Sequence, residues 1–192
     1  AFGLANREWN IPNTTDTKFM IGSVSKPFTA VLMLIQIQKG LINPDKTISD
    51  YLPEFSGRPA AKITIRQLLN HSSGMQNYDI IKDFFPRISR QNFSREEYVK
   101  VYMDSSLAFE PGTKYSYSSW GYFTLGYIME RVTGKLYSQL LKEDIFDKIG
   151  MNSTGSSFHT QVVNKRATGY DYTFEGYASA TFGDQSNRMG TG

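Results

Sequence analysis

The longest apolar stretch of the chain lies between Phe28 and Ile37, where only Thr29 and Gln36 are polar. A helix that is apolar on nearly every side is usually buried, so this stretch predicts a buried central helix. Gly40 supplies a C-terminal stop. Pro27 is tolerated only in the first helical turn, which predicts that the helix begins at about Ser23.

The remaining pattern predicts a mainly helical chain with few strands. The predicted helical elements are a turn at Ile48–Leu52, a helix from Thr64 to Leu69, a helix opened by a capping box at Ser94 and running through about Met103, a helix from about Phe123 to Gly134, and a helix over roughly Tyr137–Lys148. The predicted strands are a short one over Phe2–Trp9 and others after Ser153, and residues 75–93 are predicted to be irregular. No repeat or linker is visible, so residues 1–192 are predicted to form one domain. Two weak strand candidates are too few to build a good sheet for five helices.

Composition excludes several kinds of function. The chain has no Cys, which excludes disulfides, thiol catalysis and Cys-ligated metals. Its two His, His71 and His159, cannot form a His-rich metal site, and His71 is interpreted as a helix-end residue bonded to backbone. No apolar run reaches the ~20 residues that span a bilayer. The net charge of +3 comes from scattered Lys and Arg, which argues against nucleic-acid binding.

Ser23 and Lys26 are the candidate catalytic residues of the central helix. Three residues apart, they share one face of its first turn, where a hydroxyl lies at the positive end of the helix dipole beside an amine. Chance alone predicts roughly one Ser-x-x-Lys in such a chain, and spacing by itself favours a capping Ser with a surface Lys. The apolar helix favours a chemical role for the pair instead, because an amine in a partly buried position needs a partner or a lowered pKa.

An ordered set of short motifs resembles the serine β-lactamase and penicillin-binding-protein family, in its class C β-lactamase, DD-peptidase and esterase branch. The motifs are Phe2–Asn6, Thr17–Lys26, Gly40-Leu41 with Asp45, Tyr51–Pro53, Ile63–Gly74, Pro111–Thr113, Tyr115–Ser118, Gly121-Tyr122, Leu125-Gly126, Ile145-Phe146 and Gly150-Met151. The resemblance implies an α+β fold, with a helical region packed on an antiparallel sheet that is incomplete in this chain.

The resemblance also implies an activity and its residues. The chain would be a serine acyl hydrolase that acts through an acyl-enzyme on a small-molecule or peptide ester, amide or β-lactam, with no metal or organic cofactor. Ser23 would be the nucleophile, Lys26 its partner and Tyr117 the general base or acid. Sequence leaves open which of Lys26 and Tyr117 takes the proton, because a coupled pair titrates as a unit. A non-catalytic or sensor-type relative is the alternative, and an extracytoplasmic location is implied.

Two departures from the family pattern affect these expectations. The usual Tyr-x-Asn motif is here Tyr117-Ser118-Ser119, so Ser119, the expected substrate-binding residue, replaces only part of the missing amide's hydrogen bonding. The third motif, which would supply the second oxyanion donor, is not found. Because Gly190–Gly192 resembles the segment before the family's next helix, we expect a truncated chain that is inactive alone. The missing part should also leave the sheet-facing side of the Phe28–Ile37 helix exposed, which favours self-association.

Overall fold

Six helices form most of the regular structure in the computed structural model, which describes residues 1–85, 87–156, 161–180 and 189. The helices are α1 (Ser25–Gln38), α2 (Ile48–Tyr51), α3 (Ile65–Leu69), α4 (Arg95–Met103), α5 (Ser119–Thr133) and α6 (Tyr137–Leu141). Short 3-10 turns lie at Gly22–Val24, Pro53–Phe55, Pro59–Lys62, Tyr78–Ile80, Ile88–Arg90 and Asp147–Ile149, and a π turn spans Lys142–Phe146. None of the helices in the described part of the chain is long and apolar enough to cross a membrane.

Local capping explains where several helices begin and end. Thr64 and Ser94 each accept a hydrogen bond from the backbone three residues on, which completes the capping boxes of α3 and α4. Ser118 caps α5 by accepting from the Gly121 N–H. Gly134 ends α5 in the left-handed conformation, with φ 70°, that glycine adopts without a steric penalty. The predicted starts of α3 and α4 and the predicted end of α5 are therefore confirmed.

The hydrophobic core lies around α5, which is buried along most of its length from Trp120 to Met129. Helices α1, α3, α4 and α6 pack against it. Side chains that are essentially inaccessible come from α1, α3, α4 and α5 and include Leu32, Met33, Leu68, Val99, Phe123 and Leu125. The first turns of α1 and α5 are thereby fixed relative to each other, and the candidate catalytic residues lie in or directly before these turns.

Four short strands form two antiparallel pairs among the described residues. Strand β1 (Leu4–Asn6) pairs with β2 (Ile11–Pro12), and β3 (Tyr170–Thr173) pairs with β4 (Gly176–Ser179). The two pairs lie near each other, because the Thr168 N–H donates to the Ala5 carbonyl at 2.8 Å. An α+β fold with an incomplete sheet, as predicted, is confirmed.

The central helix α1 is buried on one face and exposed on another, so the prediction of a buried helix holds for one face only. The buried face of α1 carries the polar side chains of Lys26, Thr29 and Gln36, whereas its apolar side chains Val31 and Leu34 are exposed. The polar groups tolerate burial because they have partners from distant parts of the chain. Thr29 shares a 2.7 Å hydrogen bond with the Tyr137 hydroxyl, and Gln36 donates to Asp144 at 2.9 Å.

The structure also tests two other predictions, the start of the central helix and the helix over Tyr137–Lys148. The 3-10 turn Gly22–Val24 runs directly into α1, so the predicted start near Ser23 is confirmed. The predicted helix Tyr137–Lys148 is helical throughout, but it changes from α to π to 3-10 geometry. His159 and the segment 190–192 lie outside the described residues.

Candidate active site

Ser23 and Lys26 meet at the start of α1. Lys26 is only 5% exposed, and its Nζ donates a hydrogen bond of 3.1 Å to the Ser23 Oγ. Ser23 itself is exposed on the 3-10 turn that precedes the helix. A buried amine thus contacts a hydroxyl that a ligand can reach.

Tyr117 reaches the same hydroxyl from the loop before α5. Its Oη donates to the Ser23 Oγ at 2.7 Å, across 94 positions of sequence. The Lys26 Nζ lies 4.8 Å from the centroid of the Tyr117 ring. The structure therefore brings together all three residues that the sequence predicted as catalytic.

The pKa of the Tyr117 phenol is shifted by opposing effects. Burial, the largest of them, raises the pKa, since it disfavours the phenolate. Hydrogen bonds with Lys26 and Ser23, the positive charge of Lys26 and a hydrogen bond with Ser119 act in the other direction. Together they outweigh burial, so the pKa of Tyr117 lies below its ordinary value.

His71 lies directly behind Tyr117, at the end of α3. Its Nδ1 accepts a hydrogen bond of 3.2 Å from the Ser118 N–H, which confirms the interpretation of His71 as a helix-end residue bonded to backbone. Its ring lies 4.7 Å from that of Tyr117 and 4.9 Å from that of Tyr122, between centroids. Burial first, and then the charge of Lys26, lower the pKa of His71. The sequence did not predict that His71 would contact the site.

Ser119, the predicted substrate-binding residue, is the first residue of α5. Its N–H donates to the Oδ1 of Asn77 at 3.0 Å, which holds the first turn of α5 against the loop after α3. The neighbouring Ser118 is buried, and its Oγ donates to the Gln76 carbonyl at 2.9 Å. No sequence motif indicates a role for Asn77, because its hydrogen bond with Ser119 forms only where two loops 42 residues apart meet.

A hydroxyl that accepts hydrogen bonds from an amine and a phenol can become a nucleophile. Either partner, once deprotonated, can take the serine proton. In the described ranges, no group of three or more His, Asp or Glu side chains is placed to hold a metal ion. The arrangement is typical of enzymes that transfer an acyl group to an active-site serine.

Comparison with known proteins agrees with this class. The Beta-lactamase family matches residues 1–191, and the chain belongs to that family. Members of the family are serine hydrolases, an esterase and a D-aminopeptidase among them.

Individual relatives match over most of this chain but over a minority of their own length. Penicillin-binding protein 4* of Bacillus subtilis is 34% identical over 80% of this chain and 34% of its own. Esterase EstB of Burkholderia gladioli is 30% identical over 81% of this chain and 42% of its own. The chain thus spans less than half of the length of these curated relatives.

The fold is shared with solved structures. The crystal structure of a penicillin-binding protein from Bacillus halodurans superposes with a TM-score of 0.83 at 27% identity. The superposition covers 93% of this chain and 56% of that one. The chain therefore has the β-lactamase and penicillin-binding-protein fold.

Proposed function

We propose that this chain carries the nucleophilic half of a serine acyl hydrolase site, with Ser23 as the residue that is acylated. The observation that carries the proposal is the convergence of Lys26 Nζ and Tyr117 Oη on one oxygen, the Ser23 Oγ. A serine hydroxyl is a weak nucleophile until a neighbouring base takes its proton, and these two groups are the bases in contact. The substrate class is an ester, amide or β-lactam.

The proposed reaction has two halves. Ser23 Oγ attacks the acyl carbon while its proton passes to the pair formed by Lys26 and Tyr117. The same pair then gives a proton to the leaving alcohol or amine, which departs as the acyl–oxygen or acyl–nitrogen bond breaks. In the second half, water attacks the acyl-enzyme and the pair again relays the proton, which restores the Ser23 hydroxyl.

Charge on the substrate oxygen also needs stabilisation. We propose the N–H of Ser23 as one donor, since it lies at the N-terminal end of α1, where the helix dipole favours negative charge. Ser119, at the start of α5 and two residues after Tyr117, is proposed to contact the acyl side chain. Resemblance to penicillin-binding proteins and β-lactamases supports an extracytoplasmic location as part of this proposal.

Acylation of Ser23 is the first testable prediction. The full-length gene product is incubated with penicillin and with a p-nitrophenyl ester, and its intact mass is measured over time. We expect one acyl adduct, mapped by peptide mass to Ser23, that Ser23→Ala abolishes. Ser25→Ala is the matched control, because Ser25 lies two residues further on in the first turn of α1 and should leave the adduct unchanged.

The same time course separates the alternatives. An adduct that forms and decays indicates a hydrolase, whereas an adduct that persists indicates the sensor-type relative. Labelling that survives Ser23→Ala contradicts the assignment of the nucleophile. Absence of any adduct with either reagent indicates a non-catalytic binder.

A further inference from the structure

Tyr117 stands on a segment with no regular secondary structure. Residues 115–118 lie between the turn at 111–114 and the start of α5, so neither a helix nor a strand fixes the Tyr117 backbone. The 2.7 Å contact of its Oη with Ser23 nevertheless requires a well-defined position. Another part of the chain must supply it.

His71 contacts this segment in three ways. Its carbonyl accepts a hydrogen bond of 2.8 Å from the Ser116 N–H, and its Nδ1 accepts one of 3.2 Å from the Ser118 N–H. Its ring packs on the Tyr117 ring at 4.7 Å, with 33° between the planes. One residue therefore binds the backbone on both sides of Tyr117 and packs against its side chain.

His71 is itself held in an unusual conformation. Its φ is 59°, in the left-handed region that is uncommon for residues other than Gly, although His, Asn and Asp enter it more often than the rest. This conformation turns the chain at the end of α3, and it allows the carbonyl and the ring to face the same segment. The Tyr122 ring, on α5, packs on the imidazole at 4.9 Å.

The bond to Ser118 N–H requires a neutral imidazole. Nδ1 can accept a hydrogen bond only while it carries no proton, and in the imidazolium both nitrogens are donors. The titratable groups around the ring are Tyr115, Tyr117 and Tyr122, which contact it through their rings, and Lys26, whose charge acts on it. A second positive charge beside Lys26 is unfavourable, so the site keeps His71 neutral near pH 7.

We propose that His71 is a positioning residue for Tyr117, and that its neutral imidazole holds the 116–118 segment so that the Tyr117 Oη meets Ser23. The inference rests on the proposed function for its catalytic consequence. Protonation of His71 replaces the bond to Ser118 with repulsion between two donors, which releases the segment and displaces the phenol.

Two substitutions separate the parts of this role. His71→Asn keeps an acceptor oxygen near the place of Nδ1 and tolerates a positive φ, but it does not titrate. His71→Phe keeps a ring between the two tyrosines but has no acceptor. Ser72→Ala is the control, because it removes a hydrogen bond to Asn70 at the same helix end without touching Tyr117.

The pH dependence of ester hydrolysis by the full-length gene product is the catalytic readout. Below the pKa of His71, the slope of log(kcat/KM) against pH should be steeper by one unit in wild type than in His71→Asn. His71→Phe should lower kcat by about 10- to 100-fold with little change in KM, since it misplaces a catalytic group without removing a substrate contact. Ser72→Ala should keep the wild-type profile.

An NMR titration tests the same contact without turnover. In wild type and Ser72→Ala the amide resonance of Ser118 should titrate with His71, and in His71→Asn it should not. A Ser118 amide that ignores His71, or a His71→Asn acid limb as steep as that of wild type, overturns the proposal. Failure to acylate Ser23 at all would remove the proposed function, and the Ser118 titration would still decide whether His71 holds the segment.

Discussion

The environment of Tyr117 predicts how activity depends on pH. Because its pKa is lowered, the phenolate forms at a lower pH than the ordinary tyrosine value of about 10. If the phenolate takes the Ser23 proton, kcat/KM rises as pH climbs through this lowered pKa. Tyr117→Phe should lower kcat/KM on the order of 10²–10⁴-fold, the usual contribution of a general base.

Lys26→Gln is the informative companion to this pH profile. It removes the charge that lowers the pKa of Tyr117, so the alkaline-side rise of the remaining activity should move to higher pH. A rise centred at or above the ordinary tyrosine pKa in wild type, or one that Lys26→Gln leaves in place, contradicts a phenolate base.

Ser119 predicts a preference for activated esters over β-lactams. An activated ester needs little orientation of its acyl side chain, whereas a β-lactam amide depends on being held there. One hydrogen bond to the acyl side chain is worth ~0.5–1.5 kcal/mol, or roughly 2- to 13-fold in rate. Ser119→Asn should therefore raise the β-lactam rate relative to the ester rate in the full-length gene product. If the ratio of the two rates does not rise, the proposed role of residue 119 is wrong.

Single residues of the site differ in how far sequence predicts them. Ser23, Lys26 and Tyr117 belong to motifs with a fixed chemical meaning, and the structure places all three together. His71 and Asn77 contact the segment around Tyr117 across 47 and 42 positions of sequence. His71 lies within the matched Ile63–Gly74 motif, but the motif does not say what it contacts. The roles of both residues depend on the path of the loop after α3.

At the scale of elements, the turn at Gly74, after α3, packs closely against residues 108–109. Gly74 has φ 73°, and a Cβ built on it would lie 2.2 Å from the carbonyl oxygen of Phe109. Its own carbonyl accepts a hydrogen bond from the Ala108 N–H at 2.8 Å. The turn at Gly74 therefore determines the path of the loop in which Gln76 and Asn77 approach the start of α5.

Gly74→Ala should therefore destabilise the protein more than its backbone angle alone implies. The left-handed conformation costs an Ala roughly 1–2 kcal/mol, and the backbone clash should add about 1–3 kcal/mol of overpacking. Gly57→Ala is the control, because Gly57 has φ 82° with no atom within 4 Å of a Cβ. Chemical denaturation of both variants measures the difference. Equal free energies of unfolding would mean that the backbone around Gly74 relaxes enough to relieve the clash.

The elements themselves were predictable to the extent that their signals are local. Capping by Thr64 and Ser94 and the stop at Gly134 depend on neighbouring residues, and they were predicted correctly. The orientation of α1 was not, because its apolar residues alone do not say which face is buried. Thr29 and Gln36 turn inward because Tyr137 and Asp144, more than 100 residues away, supply their partners.

At the scale of the whole molecule, α1 presents an apolar stripe to solvent. Val24, the N-cap residue of α1, is 62% exposed, and Val31 and Leu34 on the helix are 48% and 55% exposed. Their spacing of seven and three residues puts the three side chains on one side. Large apolar side chains grouped in this way mark a surface that is covered by other protein or that associates. The stripe begins beside Ser23, so whatever covers it also borders the candidate site.

Residues 1–192 expressed alone should therefore self-associate through this stripe. Burying three aliphatic side chains is favourable by about 25 cal/mol per Å² of apolar surface, so the mass measured by light scattering should rise with concentration. Val31→Lys with Leu34→Glu, which leaves the net charge unchanged, should return the chain to a monomer. Leu136→Lys with Ile149→Glu changes exposed apolar residues elsewhere in the fold and should leave the association intact. A wild-type chain that stays monomeric at high concentration, or a control pair that dissociates it equally well, would show that the α1 stripe does not drive association.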